Sequence, residues 1–435
     1  MKIKNIANIK MGRSPKGEMC SEEEIGLPLL NGPTEFGPHH PQPEQYTDDP
    51  KKRAEPGDLL FCVRGSSTGR MNWADREYAI GRGLAALRHK KGLRYNHFLR
   101  GLLELYLPAL LKAATGSTFP NVSKGLLSDF EVLVPDLDEQ EKISKILRTF
   151  DDKIELNRRM NKTLESTART LFKSWFVDFD PVIDNAVRAG NPIPEEFGDR
   201  AAARRKALDA GNPVVADDMA EHFPAAFEES DQGPIPVGWE IRALDEIADY
   251  LNGTAWQRYR AEGDEESLPV IKIRELRDGF SDNTDRASLD VPDKYIIEDG
   301  DVIFSWSGSL LVKLWTGGRG VLNQHLFKVS SVRFPKWFYY LWTVEHLERF
   351  QRIAADKATT MGHIKRAHLS EAKVLVPSEE LLNTMGKAIA PPIGRQIHNE
   401  LEIRTLTKSR DALLPNLLSG KVRVPDVGLS EEIVQ

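Results

Sequence analysis

Residues 116–135 read GSTFPNVSKGLLSDFEVLVP, and residues 358–377 read ATTMGHIKRAHLSEAKVLVP. Both end in an apolar, strand-like run closed by proline. A long helical pattern follows each. One device used twice, 242 residues apart, predicts an internal duplication.

Two further pairs occur in the same order. IKNIANIKMGRSP near the start parallels IRALDEIADYLNGTA, at an offset of 238. PGDLLFCVRGSSTGR (56–70) parallels DGDVIFSWSGSLLVK (299–313), at an offset of 243, aligning Gly57-Asp58 with Gly300-Asp301 and Gly65 with Gly308. Each half therefore predicts a strand-rich part with turn signals, a helix near 95–113 or 335–354, the VLVP strand and a long helix. The expected fold class is α+β: two similar α/β domains with an internal pseudo-twofold repeat, separated by two long helices. The expected segments are 1–137, the helix 138–178, a connection 179–235, the second domain 236–378, the helix 379–418 and a tail 419–435.

Asp138 with Glu141 is the expected cap of the first long helix. Steps of four and three place Ile143, Leu147, Phe150, Ile154, Asn157, Asn161, Leu164, Ala168, Leu171 and Trp175 on one coiled-coil seam. At offset 242 the second helix supplies Met385, Ile389, Asn399, Leu406, Leu413 and Leu417. Asn within a seam fixes register with a specific partner helix, and two long helices separated by a globular domain are expected to pack antiparallel. About 39 residues would give a rod of roughly 58 Å. Pro391-Pro392 is expected to kink or split the second helix. Residues 182–235 carry 11 acidic against 5 basic residues and are expected to be a long connection with one short helix at GDRAAARRKALDA.

The chain has 435 residues, enough for two or three domains, and 40% of them are apolar, enough for globular cores. Cys20 and Cys62 form no CxxC pair, which fits a reducing cytosol. The N-terminal stretch lacks the apolar core of a signal peptide, and no run reaches membrane-spanning length. The net charge of −6 argues against a protein that coats nucleic acid by bulk charge, though net charge can hide a basic face.

Motifs for chemistry are missing where they are sought. No GxxxxGK[ST] phosphate loop occurs. DFDPVID (178–184) lacks the second proline and the aromatic residue of an amino-methyltransferase motif, and reads as a helix exit. In VPDLDEQEK the spacing is too tight for nuclease metal ligands. His39-His40 has no third metal ligand nearby and reads as a solvated loop. No catalytic residue and no metal site is expected.

What remains is polar and basic. Residues 51–124 hold 14 Lys/Arg against 5 Asp/Glu, and residues 302–373 hold 11 against 4. Two basic regions at one place in the repeat suit two nucleic-acid-facing surfaces. Arg64, Ser66, Ser67, Thr68, Arg70 and Asn72 occupy a glycine-bounded loop after an apolar strand. Arg reads guanine, Asn reads adenine, and Ser or Thr holds phosphate. The second copy offers Ser305, Ser307, Ser309 and Lys313, then Asn323, Gln324 and His325. Arg82, Thr118, Asn121 and Lys124, and in the second copy Thr360, His363, Lys365 and Arg366, complete the candidate DNA contacts.

At these residues the chain resembles a known family. VRGSSTGRMNWADREYAIGRG, GSTFPNVSKGLLSDFEVLVPDLDEQEKISKIL and RTLFKSWFVDFDPV are similar to specificity (S) subunits of type I restriction-modification systems, over nearly the whole chain. The resemblance implies two target recognition domains, each reading one part of a bipartite double-stranded DNA site, and two long helices that measure the spacer. It also implies docking of two methyltransferase (M) subunits that bind S-adenosylmethionine and methylate adenine at N6. Restriction (R) subunits, where present, would add ATP- and Mg-dependent cleavage. The chain itself would be non-catalytic, cofactor-free and cytoplasmic. Two other readings stay open: a fused methyltransferase or nuclease, and a coiled-coil scaffold with two protein-binding heads.

Overall fold

The computed structural model describes residues 1–115, 119–263, 265–356 and 362–424. These fall into two compact units. One is Met1–Leu156 with Thr405–Gln435, and the other is Asn157–Arg404.

The first unit is built on strands β1 (Ala7–Met11), β2 (Leu27–Leu30), β3 (Leu59–Cys62), β4 (Met71–Trp73), β5 (Tyr78–Ile80) and β6 (Leu84–His89). One sheet has the order β1-β6-β3-β4, and β2 pairs parallel to β5 in another. The second unit repeats this with β7 (Asp249–Asn252), β8 (Ser267–Ile271), β9 (Val302–Ser305), β10 (Leu311–Leu314), β11 (Gly320–Leu322) and β12 (Leu326–Ser330). Its sheet order is β7-β12-β9-β10, with β8 parallel to β11. The duplication is therefore a repeat of topology. The offset of 238 read for the first matched pair shifts to 241: Asn8 corresponds to Asp249 and Gly12 to Gly253 in strand register.

The apolar runs LLFC and VIFS form strands because both faces are covered. Leu59 and Phe61 join one core with Leu87 and Phe98, while Leu60 and Cys62 face a second with Leu30, Tyr78 and Ile80. In the second unit Phe304 and Ile303 divide in the same way. The repeated Gly-Asp has a local cause. Gly57 (φ 80°) and Gly300 (φ 90°) adopt left-handed backbone, which a side chain would strain. Asp58 and Asp301 then accept the backbone N–H of Glu55 (2.8 Å) and Glu298 (2.9 Å), closing the turn.

The long helices span Leu137–Phe176 and Glu379–Leu418. Asp136, not Asp138, caps the first: its Oδ1 accepts the Glu139 N–H at 2.9 Å. Ser378, 242 residues on, caps the second through the Leu381 N–H at 3.3 Å. In the first unit Ile143 and Leu147 share a core with Leu414, Leu417 and Leu418, and Arg410 donates to Asp151 at 2.8 Å. In the second unit Asn399 donates to Asn161 Oδ1 (2.9 Å), Asn161 to Glu400 (2.8 Å) and Asn157 to Glu402 (2.9 Å). There Ala168, Phe172, Trp175 and Phe176 share a core with Met385, Ile389 and Ile393. Within each unit, later positions on one helix meet earlier positions on the other. Ile154 is buried too, while Phe150, Leu164, Leu171, Leu406 and Leu413 are half-buried.

Two expectations are corrected. The second long helix is not split at Pro391-Pro392; it is helical throughout. Pro391 is exposed, and the carbonyls it and Pro392 leave free belong to Lys387, exposed, and Ala388, half-buried. Ile389 and Ile393 are buried on the opposite side, and that packing outweighs the proline cost of ~3 kcal/mol each. The connection after the first helix holds the expected helix at GDRAAARRKALD and two more. It forms helices Asp180–Ala189, Gly198–Asp209 and Asp217–Ala220. Asp180 and Asp184 are buried against Arg200 and Arg204 in two-pronged pairs of 2.6–2.7 Å. In the first copy, FEVLVP makes only a bridge between Glu131 and Lys2, whereas Lys373–Val376 pairs with the four residues Glu240–Ala243.

Candidate nucleic-acid interface

In the first unit β1, β3 and β5 all run toward one end of the sheets, and the loops leaving them are tied together there by backbone hydrogen bonds. Gly12 N–H donates to Leu84, Arg13 to Ile80, Val63 to Gly83, Gly81 to Leu30 and Val122 to Val63, all at 2.8–2.9 Å. The second unit repeats the set: Gly253 to Leu326, Thr254 to Leu322, Asn323 to Ile271 and Ile364 to Trp306, at 2.9–3.1 Å. Gly12 and Gly253 are required for this close approach. A Cβ on either would stand 2.1 Å from Gly81 O or 2.2 Å from Asn323 O. The opening stretch joins the same end in both copies. Arg64 bridges to Asn121, and Ser307 bridges to His363.

On this end of the first unit Arg64, Ser66, Arg70, Arg82 and Lys124 are exposed, and Ser67, Thr68 and Asn121 are half-buried. Arg64, Arg70, Arg82 and Lys124 make no ion pair with another described residue, and neither does the exposed Arg13 beside them. Such unneutralised cations around polar loops give this end a positive field. Thr68 is occupied in part, its hydroxyl lying 2.7 Å from Gly65 O and 2.9 Å from Pro120 O. Asn72 lies inside, 3% exposed, donating to Gly37 O at 2.7 Å. It holds the neighbouring loop and offers no free amide edge.

The second unit presents different chemistry. Ser309, His363, Lys365 and Arg366 are exposed, and Gln324 and His325 are half-buried. Ser305, Ser307 and Asn323 are buried and serve the loops themselves. Ser305 donates to Ser307 O at 3.1 Å, the Ser307 hydroxyl lies 3.1 Å from His325 Nδ1, and Asn323 Oδ1 accepts the His325 N–H at 3.2 Å. Lys313 turns inward, donating to Leu276 O at 3.0 Å, and burial pushes its ammonium pKa down. A concavity of about 440 Å³ opens beside these residues, lined by Trp256, Gln257, Lys272, Arg274, Asn323, Gln324 and His325 among others. Thr118 and Thr360 lie outside the described residues.

Residues not singled out in the sequence stand beside the expected ones: Arg13, Ser14 and Asn31 in the first unit, and Gln257, Lys272 and Arg274 in the second. The signal for Arg13 was its place in MGRSP, one residue after the glycine that the repeat matches to Gly253. His40, by contrast, has its Nδ1 2.9 Å from Trp73 O, and His39 lies 4.0 Å from the Glu155 carboxylate.

Two equivalent loop ends with different side chains suit two related readers of different sequences. A family described as the type I restriction modification DNA specificity domain matches the chain twice, over residues 1–166 and 236–390. The chain belongs to this family. Both specificity-domain matches include the loop end of one unit. Similar relatives include the type I restriction enzyme HindI specificity subunit of Haemophilus influenzae, 25% identical over 404 residues, covering 86% of this chain and 88% of that protein. The MjaIX specificity subunit of Methanocaldococcus jannaschii is 25% identical over 344 residues, covering 75% and 71%. The crystal structure of a type I restriction-modification S subunit from M. genitalium has the same fold, with a TM-score of 0.55 at 15% identity over 96% of this chain and 95% of that one. Among the described residues of this specificity-domain chain, no helix is long and apolar enough to cross a membrane.

Proposed function

We propose that the chain is the DNA-specificity subunit of a type I restriction-modification complex and reads a bipartite site with its two loop ends. The observation that carries this reading is the pair of equivalent bridges, Arg64 to Asn121 and Ser307 to His363, at the same place in a repeated fold but with different side chains around them. Each domain reads one half-site, and the differences give the halves different sequences. The two long helices pair as an antiparallel coiled coil that sets the spacing, and they dock two methyltransferase subunits. Adenine N6 methylation then belongs to those subunits with their S-adenosylmethionine. ATP- and Mg-dependent cleavage belongs to restriction subunits where the system has them. The chain contributes sequence recognition and no bond-making step, and it works in the cytoplasm.

The test is co-expression with its methyltransferase partner, followed by sequencing of the methylated adenines. Replacing residues 1–135 by those of another family member is expected to change one half of the methylated site and leave the other half and the spacer intact. Unchanged methylated sequences would sink the reading. Methylation or cutting of DNA by the purified chain alone would replace it with an enzymatic one.

A further inference from the structure

We infer that Phe119 is an apolar wedge that enters a base step of the first half-site, so that this domain reads DNA deformability as well as base edges. The inference rests on the DNA-specificity reading above. Phe119 is 55% exposed and is the only exposed aromatic side chain among the described residues. Every other Phe, Tyr and Trp of the chain is at least half-buried, so its exposure is a local exception.

Its surroundings fix both its position and its occupant. The loop that carries it is closed at its base, where Asn121 N–H donates to Thr115 O at 2.7 Å and Thr115 N–H to Asn121 O at 3.3 Å. Thr68 of the neighbouring loop ties down Pro120 O at 2.9 Å. Pro120 fixes its own φ and restricts Phe119 before it. The backbone on the C-terminal side of Phe119 is thus pinned, while its ring is exposed. Arg64 bridges to Asn121, two residues along the chain, and Lys124 opens the helix Lys124–Asp129 five residues along. Both are exposed cations without an ion pair to another described residue. An exposed apolar ring on a loop end that also carries exposed cations matches the mixed base and phosphate surface of a nucleic acid, and would be a poor match for an apolar protein face. Side chains that unstack base steps are of this kind: Phe, Leu, Ile, Met or Pro on a loop held against the groove by basic neighbours. The repeat places Met361, another such residue, opposite Phe119 in sequence; it lies outside the described residues.

The test uses the complex with the methyltransferase partner and a duplex carrying the methylated site mapped as above, with 2-aminopurine substituted in turn along the first half-site. Wild-type complex is expected to raise 2-aminopurine fluorescence at one step. Phe119→Ala should abolish that rise and weaken binding roughly tenfold or more, with the salt dependence unchanged because no phosphate contact is lost. Phe119→Leu, which keeps an apolar wedge, should retain most of both. Binding within twofold of wild type and an unchanged fluorescence pattern in Phe119→Ala would overturn the wedge. So would loss of the methyltransferase subunit from the Phe119→Ala complex, which would make the ring a protein contact. If wild-type complex does not prefer the mapped duplex over a scrambled one, the DNA-specificity reading itself has failed, and the two failures are distinguishable.

Discussion

At the scale of single residues, the two loop ends are held by different kinds of polar group. Asn72, Ser305 and Asn323 are expected DNA contacts, yet the first two lie in strands and all three are buried and satisfy backbone or a neighbouring group. A sequence shows the residue type and the loop, but not which way the side chain turns. Amides and hydroxyls serve backbone as readily as they serve a ligand. The exposed cations are less ambiguous, and they separate two roles. Lys124 is a point charge at the start of a helix capped by Ser123. Arg82 sits between Gly81 and Gly83, where the loops of Arg13 and Asn31 converge. Lys124→Ala is expected to weaken binding to all sequences alike and to lower the salt slope by about 0.9. Arg82→Ala is expected to relax discrimination at one base pair by roughly 10- to 100-fold. Binding isotherms on specific and single-mismatch duplexes at several salt concentrations check both. An Arg82→Ala complex that loses affinity uniformly would place Arg82 on phosphate instead.

At the scale of elements, local signals succeed where the cause is local. Gly57 and Gly300 were legible as turn residues because their backbone demands it. The prolines after VLV mark helix starts because Asp136 and Ser378 directly follow them. Pro391-Pro392 misled because the packing of Ile389 and Ile393 is tertiary. Asp180 and Asp184 misled because their partners Arg200 and Arg204 lie 20 residues away, beyond any compositional window. The first long helix carries two testable polar contacts. Burial opposes ionisation of Asp151, but His97, Arg100 and Arg410 outweigh it and hold the carboxyl well below the usual carboxylate range. A depressed carboxylate pKa means stability that is fully present above the unfolded value of ~3.9 and is lost as pH falls below it. Thermal melts from pH 7 to pH 2 should therefore show a loss of stability below about pH 4. Asp151→Asn should flatten that loss and cost about 3–5 kcal/mol at neutral pH by leaving its cations uncompensated. A melt profile as steep in Asp151→Asn as in wild type would show that other groups drive the acid transition. In the second unit, Asn161→Ala strands the buried Asn399, while the half-buried Glu400 can turn to water, and should cost about 1–3 kcal/mol. Asn161→Leu with Asn399→Leu should recover or exceed wild-type stability in denaturant titrations. A double variant less stable than the single one would mean that the polar pair is favourable in itself.

At the scale of the whole molecule, the repeat was the most legible feature, because three short matches in one order required one topology used twice. The chemistry of each copy was less legible, because the strands preserve the fold while the loops diverge. Unpaired arginines dominate the first loop end, and a concavity with amides and His325 dominates the second. The proposed spacer makes a prediction that neither loop end can make alone. Spacing set by paired helices must change when both are shortened together. Seven residues removed from each, at positions that face one another, keep the seam nearly in phase, since a straight helix drifts only ~20° per heptad. Four residues would turn it farther out of register. Seven residues rise about 10.5 Å, and base pairs are spaced ~3.4 Å apart, so the site should lose about three base pairs between its halves. The half-site sequences should stay as they are, since no loop residue is touched. Shortening only one helix should instead break the Asn161–Asn399 contact and reduce methylation without defining a new site. Sequencing of methylated adenines from cells carrying each deletion separates these outcomes. An unchanged spacer in the doubly shortened chain would show that something other than the helices sets the distance.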